Sequence, residues 1–149
     1  MSQKYSHSKG KATILIVDDE MDMRLFITTL FETSGYRAVA VRDGRQGLVK
    51  AYELKPDLII LDVMMPGEGG AKMYQALKGD PGLDHIPVIM LSAVDQKAYH
   101  HFLNMLTVKT GKPIPAPRAY VEKPPDPDAL LALAEKILAD NLHSDGHLS

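Results

Sequence analysis

The sequence predicts an α/β domain built as a five-stranded, doubly wound parallel sheet flanked by five helices. Two observations carry this reading: short unbroken apolar runs alternate with segments of helical period, and Gly, Pro or Asp clusters separate one from the next. Apolar runs without polar alternation suit strands buried on both faces, as in a parallel sheet covered by helices. A length of 149 residues fits one such domain and leaves little room for a second.

Taken in order, Thr13 to Val17 is the first strand, and Met23, Phe26, Ile27, Leu30 and Phe31 then form one helical stripe that Gly35 can close. Tyr36 to Val41 is the second strand. Leu48, Ala51 and Tyr52 mark a second helix ended by Pro56, and Leu58 to Leu61 is the third strand. A third helix runs from Ala71 to about Lys78 and stops at Gly79-Asp80-Pro81-Gly82. Pro87 to Leu91 is the fourth strand, and Asp95 can cap a helix reaching about Val108. The stretch from about 107 to 117, rich in proline from Lys112 onwards, reads as an enlarged irregular connection with little apolar bulk for a core. Ala119 to Val121 is the fifth strand, and Leu130, Leu133, Ala134, Ile137 and Leu138 line the last helix. The domain therefore spans 12–140, between a polar, flexible segment at 1–11 and a flexible tail at 141–149.

Composition narrows the function classes. A net charge of −2 with a pI near 6.3 lacks the basic footprint that phosphate contacts require, so no nucleic-acid partner is expected. With no cysteine there are no disulfides, thiolate metal sites or cysteine nucleophiles. No apolar run has the length of a signal core or a membrane span, and a cytoplasmic protein without membrane contact is the expectation.

Four strands run into a polar residue at their carboxyl ends: Asp18 and Asp19, Asp62, Ser92, and Lys123. In a parallel sheet those ends share one edge, where ligands bind. Taken singly, each Asp or Ser there would be a cap or turn residue and the Lys a solvated side chain. Occurring together, with none at the amino ends, they point to one site. Three carboxylates resist joint ionisation without a cation, and oxygen ligands suit Mg²⁺. Mg²⁺ and Lys123 balance the three negative charges and leave a pocket able to accept a phosphoryl dianion.

Asp18-Asp19-Glu20, Asp62-Val63-Met64-Met65-Pro66 with Gly70, Ser92-Ala93, and Tyr120-Val121-Glu122-Lys123-Pro124 together resemble the receiver domains of two-component response regulators, of the stand-alone, chemotaxis-regulator-like kind. The likeness covers about 12–140. It implies the flavodoxin-like strand order 2-1-3-4-5, with Asp62 as phosphoacceptor. Asp19, Asp62 and the Met64 carbonyl would bind Mg²⁺, and Asp18 would help through water. Lys123 would pair with phosphoryl oxygens, while Ser92 moves to hydrogen-bond them and Tyr120 turns inward as the second switch residue. The Lys123–Pro124 bond would be cis, and Pro66 and Gly70 structural. The donor would be a histidine kinase or histidine phosphotransfer protein, the target an unknown downstream protein. Such a domain is a switch, catalysing only its own phosphorylation and dephosphorylation.

The chain departs from that pattern in two places. Thirty residues separate Ser92 from Lys123, several more than is usual, and Pro125 stands where an apolar or aromatic residue is common, so the start of the last helix is expected to shift. His100 and His101 adjoin and point about 100° apart on a helix, which favours surface or packing roles over metal binding; Met64 and Met65 read as backbone and packing residues. A haloacid-dehalogenase-type phosphohydrolase would place two Asp residues two apart after the first strand, whereas these are adjacent. A flavodoxin-like electron carrier would carry a Ser/Thr/Gly-rich phosphate loop in place of Asp18, Asp19 and Glu20. The rival reading is a pseudo-receiver, an unphosphorylated interaction module on the same fold.

Overall fold

The computed structural model describes residues 12–65, 69–94, 96–111 and 113–148. Their elements alternate along the chain: β1 (Thr13–Val17), α1 (Met21–Thr33), β2 (Arg37–Val41), α2 (Gly44–Leu54), β3 (Leu58–Asp62), α3 (Gly69–Lys78), β4 (Val88–Ser92), α4 (Gln96–Thr110), β5 (Ala119–Glu122) and α5 (Pro127–Leu148). The sheet is parallel throughout, in the order β2-β1-β3-β4-β5. No helix among the described residues is long and apolar enough to cross a membrane.

The unbroken apolar runs are explained by two cores, one on each face of the sheet. Because strand side chains alternate, Leu15, Val17, Ile59, Leu61, Val88 and Met90 pack with Ala51, Met73 and Leu77 on one side. Ile14, Ile16, Leu58, Ile60, Ile89 and Leu91 pack with Ile27, Phe31, Leu130, Ala134 and Ile137 on the other. Every residue of β1, β3 and β4 is buried, whereas the edge strands β2 and β5 are mostly half-buried. Each fully buried Ile or Leu contributes ~1.5–3 kcal/mol relative to exposure, so the three central strands hold the domain together.

Helix ends follow from local chemistry. The Asp43 carboxylate accepts a hydrogen bond from Gln46 N at 2.8 Å and caps α2. Gly35, at φ 95°, ends the turn after α1 as expected, and lets Tyr36 pack edge-on against Phe31 with ring centroids 5.9 Å apart. The Tyr36 hydroxyl donates to Glu135 on α5, joining the second strand to the last helix. Asp126 accepts from Ala129 N at 2.9 Å, so α5 starts at Pro127 behind a buried Pro125.

Four expectations change. Residues 107–110 are helical, and the irregular connection begins at Gly111. That connection is also anchored: Ile114 packs against the first core and the buried Tyr74 hydroxyl donates to the Pro115 carbonyl, because the β4–β5 corner leaves a core surface that something must cover. The expected tail at 141–149 is helical to Leu148, continuing the hydrogen-bonding of α5 beyond its apolar stripe. Phe26, placed in the α1 stripe, is 37% exposed, while Ile27 and Phe31 are buried and Met23 and Leu30 pack against the core. The segment 1–11, the Pro66 position and the Asp95 cap lie outside the described residues.

Gly70 fits the fold through its missing side chain. A Cβ there would lie 2.4 Å from the Asp62 carbonyl oxygen and 2.6 Å from that of Val63, both backbone atoms. At neighbouring Gly69 the nearest atom would be the flexible Met65 Cε at 3.4 Å. Gly70→Ala is therefore expected to destabilise the domain by about 1–3 kcal/mol in urea denaturation, and Gly69→Ala by clearly less.

Candidate functional site

Parallel pairing gathers the polar strand ends on one edge. Val17 pairs with Leu61, so Asp18 and Asp62 follow on adjacent strands. Asp62 pairs with Leu91, one residue before Ser92, and Ser92 pairs with Glu122, one before Lys123. Asp18, Asp62 and Ser92 are 1%, 2% and 0% exposed, while Asp19 is open to solvent. Carboxylate oxygens of Asp18, Asp19 and Asp62 lie within 4.8 Å of one another. A cleft of about 470 Å³ opens over them, lined among others by Asp19, Asp62, Met64 and Lys123.

Lys123 faces this acidic cluster from the other side. Its Nζ lies 2.9 Å from Asp18 Oδ2, 2.9 Å from Glu20 Oε1 and 3.2 Å from Asp62 Oδ2. The contacts to Glu20 and Asp62 are aligned hydrogen bonds. The contact to Asp18 has an ion pair's distance, and the buried Asp18 Oδ2 has no aligned hydrogen bond beside it. Asp18 Oδ1 accepts instead from Glu20 N at 2.9 Å, and the Asp18 carbonyl from Arg24 Nη1. Asp62 Oδ1 accepts from Met64 N at 3.2 Å.

These surroundings pull the ionisations in opposite directions. Burial raises the Asp18 pKa above its ordinary value, against the backbone bond from Glu20 and the nearby ammonium. Burial, reinforced by the charge of Asp18, pushes Asp62 up to about 6 despite Lys123. For Lys123 burial favours the neutral amine, but Glu20, Asp18 and Asp62 together outweigh it and raise its pKa. A buried oxygen that shares one ammonium with two other carboxylates is part of a donor set short of positive charge. All-oxygen ligands at this spacing fit a hard cation such as Mg²⁺.

The two expected switch residues meet at one residue, Val94, on its two flanking peptides. Ser92 Oγ accepts from Val94 N at 3.2 Å, and the Tyr120 hydroxyl donates to the Val94 carbonyl. The Lys123–Pro124 bond is cis, and Lys123 N donates to the Ser92 carbonyl at 2.8 Å. Met65 is buried in the core, whereas Met64 is 56% exposed at the cleft and packs little. His100 and His101 are exposed, and they are not part of the carboxylate cluster. Sequence reasoning gave Glu20 no role beyond its place beside Asp18 and Asp19; only strand register could show that it reaches a lysine 103 positions away.

The raised carboxylates carry a consequence for stability. Between the unfolded Asp value near 4 and about 6, the folded state binds more protons at Asp62 than the unfolded state does. Stability from this group is thus full below about pH 4 and lost as pH rises through 6. The metal-free domain is expected to be less stable at pH 7.5 than at pH 5, and Asp62→Asn to remove on the order of 1–2 kcal/mol of that loss. Thermal or urea denaturation of both forms across this range measures the difference.

Known proteins agree with this geometry. The response regulator receiver domain family matches residues 14–135. The polar-differentiation response regulator DivK of Brucella anthropi is 36% identical over 110 residues, covering 72% of this chain and 89% of that protein. The chemotaxis protein CheY4 of Vibrio cholerae superposes with a TM-score of 0.72 at 25% identity, covering 85% of this chain and 98% of that one. The signal receiver domain of a signal transduction histidine kinase from Syntrophus aciditrophicus gives 0.73 at 28% identity, over 87% and 91% of the two chains. With a sheet in the order 2-1-3-4-5, an acidic cluster at its carboxyl edge and Lys123 facing it, the chain belongs to the response regulator receiver domain family.

Proposed function

We propose that this receiver domain is a Mg²⁺-dependent phosphoacceptor switch in a two-component phosphorelay, with Asp62 as the phosphorylated residue. The observation that carries the reading is the buried Asp62 carboxylate, 3.2 Å from the Lys123 ammonium and within 4.8 Å of the Asp18 and Asp19 carboxylates. An Asp62 oxygen attacks the phosphorus of a phosphohistidine on a kinase or phosphotransfer protein. The P–N bond breaks, its electron pair returns to the imidazole, and an acyl phosphate forms on Asp62. Water later cleaves the P–O bond and restores the carboxylate, so the chain catalyses only the writing and erasure of its own mark.

Asp19, Asp62 and the Met64 carbonyl would hold Mg²⁺, with Asp18 acting through water. When bound, the ion supplies neutralisation of charge on the transferring oxygens. Lys123 would bind a phosphoryl oxygen, and Ser92 would turn towards another. That turn withdraws the Ser92 acceptor from Val94 N, loosening the residue whose carbonyl holds Tyr120. Two side-chain bonds to one residue couple Ser92 and Tyr120 through Val94, and a dianion contacted in only one arrangement biases that joint. Exposed apolar residues on α1, the helix that follows Glu20, among them Met21 at 70% and Leu25 at 65% exposed, favour a protein donor. Residues 111–118, anchored through Ile114 and Pro115, would contribute partner specificity on the output side.

Incubating the chain with Mg²⁺ and a small acyl phosphate, read by intact mass, tests the assignment. One phosphoryl addition is expected, abolished by Asp62→Asn or by chelation. Uptake surviving both removes Asp62 from the role, and no uptake at saturating Mg²⁺ turns the reading to an unphosphorylated interaction module. For the connection, charged substitutions at the exposed Pro113 and Ala116 should leave uptake intact and weaken binding of a phosphorylation-dependent partner. Unchanged affinity would make the segment a connection only.

A further inference from the structure

Glu20 stands first at α1 as its N-cap residue, with extended backbone at φ −91° and ψ 122°, yet its side chain makes no capping hydrogen bond. Glutamate is a poor cap, and this carboxylate is turned away from its own helix to Lys123 Nζ at 2.9 Å. An ammonium has three donors, and here three carboxylates surround it. A phosphoryl oxygen that takes an aligned donor of Lys123 displaces Glu20 or Asp62, the two carboxylates hydrogen-bonded to it, and meets Asp18 at ion-pair distance. Asp18 is buried and bonded to backbone, and Asp62 is buried and is itself the acceptor. Glu20 differs, because its side chain is 59% exposed and can swing into water, where a carboxylate is well solvated.

We propose that Glu20 is a displaceable placeholder on Lys123, occupying the position that a phosphoryl oxygen takes during transfer and so slowing phosphorylation of Asp62. This inference rests on the phosphoacceptor reading and deepens it. The Glu20 backbone is fixed by its N–H bond to Asp18 Oδ1 and by the Arg24 N bond to its carbonyl, so the side chain moves without disturbing the carboxylates below. Glu20 is a positioning residue acting through Lys123, distinct from the cluster of Asp18, Asp19 and Asp62. Glu20's end of the pair is exposed and its carboxylate is hydrated on leaving, while Lys123 keeps its other carboxylate partners, so the barrier is small and the placeholder tunes the rate and does not block it.

The test compares wild type, Glu20→Gln and Glu20→Asp for uptake of a small acyl phosphate at saturating Mg²⁺, with Mg²⁺ affinity measured separately by calorimetry without phosphodonor. Aspartate keeps the charge but is one methylene shorter and falls short of Lys123. Both variants are expected to be phosphorylated about twofold to fivefold faster than wild type, with Mg²⁺ affinity within about threefold. Unchanged or slower uptake in Glu20→Gln overturns the proposal. Acceleration in Gln alone also overturns it, assigning the effect to charge at the cleft mouth, and a loss of Mg²⁺ affinity of about tenfold or more would make Glu20 a metal ligand. Equal rates in all three proteins sink the placeholder and leave the phosphoacceptor standing, whereas no uptake in wild type removes both.

Discussion

The polar half of this domain is organised by the approach of one ammonium to carboxylates that the fold has taken out of water. Asp18 and Asp62 sit at the ends of wholly buried strands, where like charges repel through a medium that screens them poorly. Lys123 offsets part of that repulsion, but it is one positive charge among Asp18, Asp19, Glu20 and Asp62. The residual imbalance appears as raised carboxylate pKa values and as an Asp18 oxygen held by charge without an aligned hydrogen bond. A site in this condition favours added positive charge.

That imbalance is tolerated because the apolar part of the fold is generous. Three central strands pack on both faces, and side chains of α1 and α5 on one side and of α2 and α3 on the other complete the cores. Close backbone approach extends this packing to the site, where Gly70 lets α3 lie against the carbonyls of Asp62 and Val63. The acceptor strand is therefore braced from behind, and change is directed to the side chains and to Val94, the residue that Ser92 and Tyr120 both hold.

The connection between α4 and β5 shows how a lengthened loop is reconciled with a packed core. Its proline residues limit the backbone, Ile114 supplies the apolar contact, and the Tyr74 hydroxyl satisfies the Pro115 carbonyl. Pro113, Pro115 and Ala116 remain exposed. The segment thus presents a surface with little conformational entropy left to lose on contact.

Apolar period and breakers alone determined the order of all ten elements and the approximate limits of all but the last helix, which runs on to Leu148, because burial on two faces leaves unbroken apolar runs that little else produces. The strand-end rule likewise singled out Asp18, Asp19, Asp62, Ser92 and Lys123, since their position after buried runs is a property of the chain itself. Only the tertiary structure decided what these groups touch. Glu20 reaching Lys123, Ser92 and Tyr120 meeting at Val94, and Tyr74 reaching Pro115 join residues 103, 26 and 41 positions apart in the widest cases. The exposure of Phe26 and the packing of Ile114 belong with them. Neither follows from a one-dimensional pattern, because each depends on which neighbouring element covers the side chain, and that is set by sheet register and helix placement.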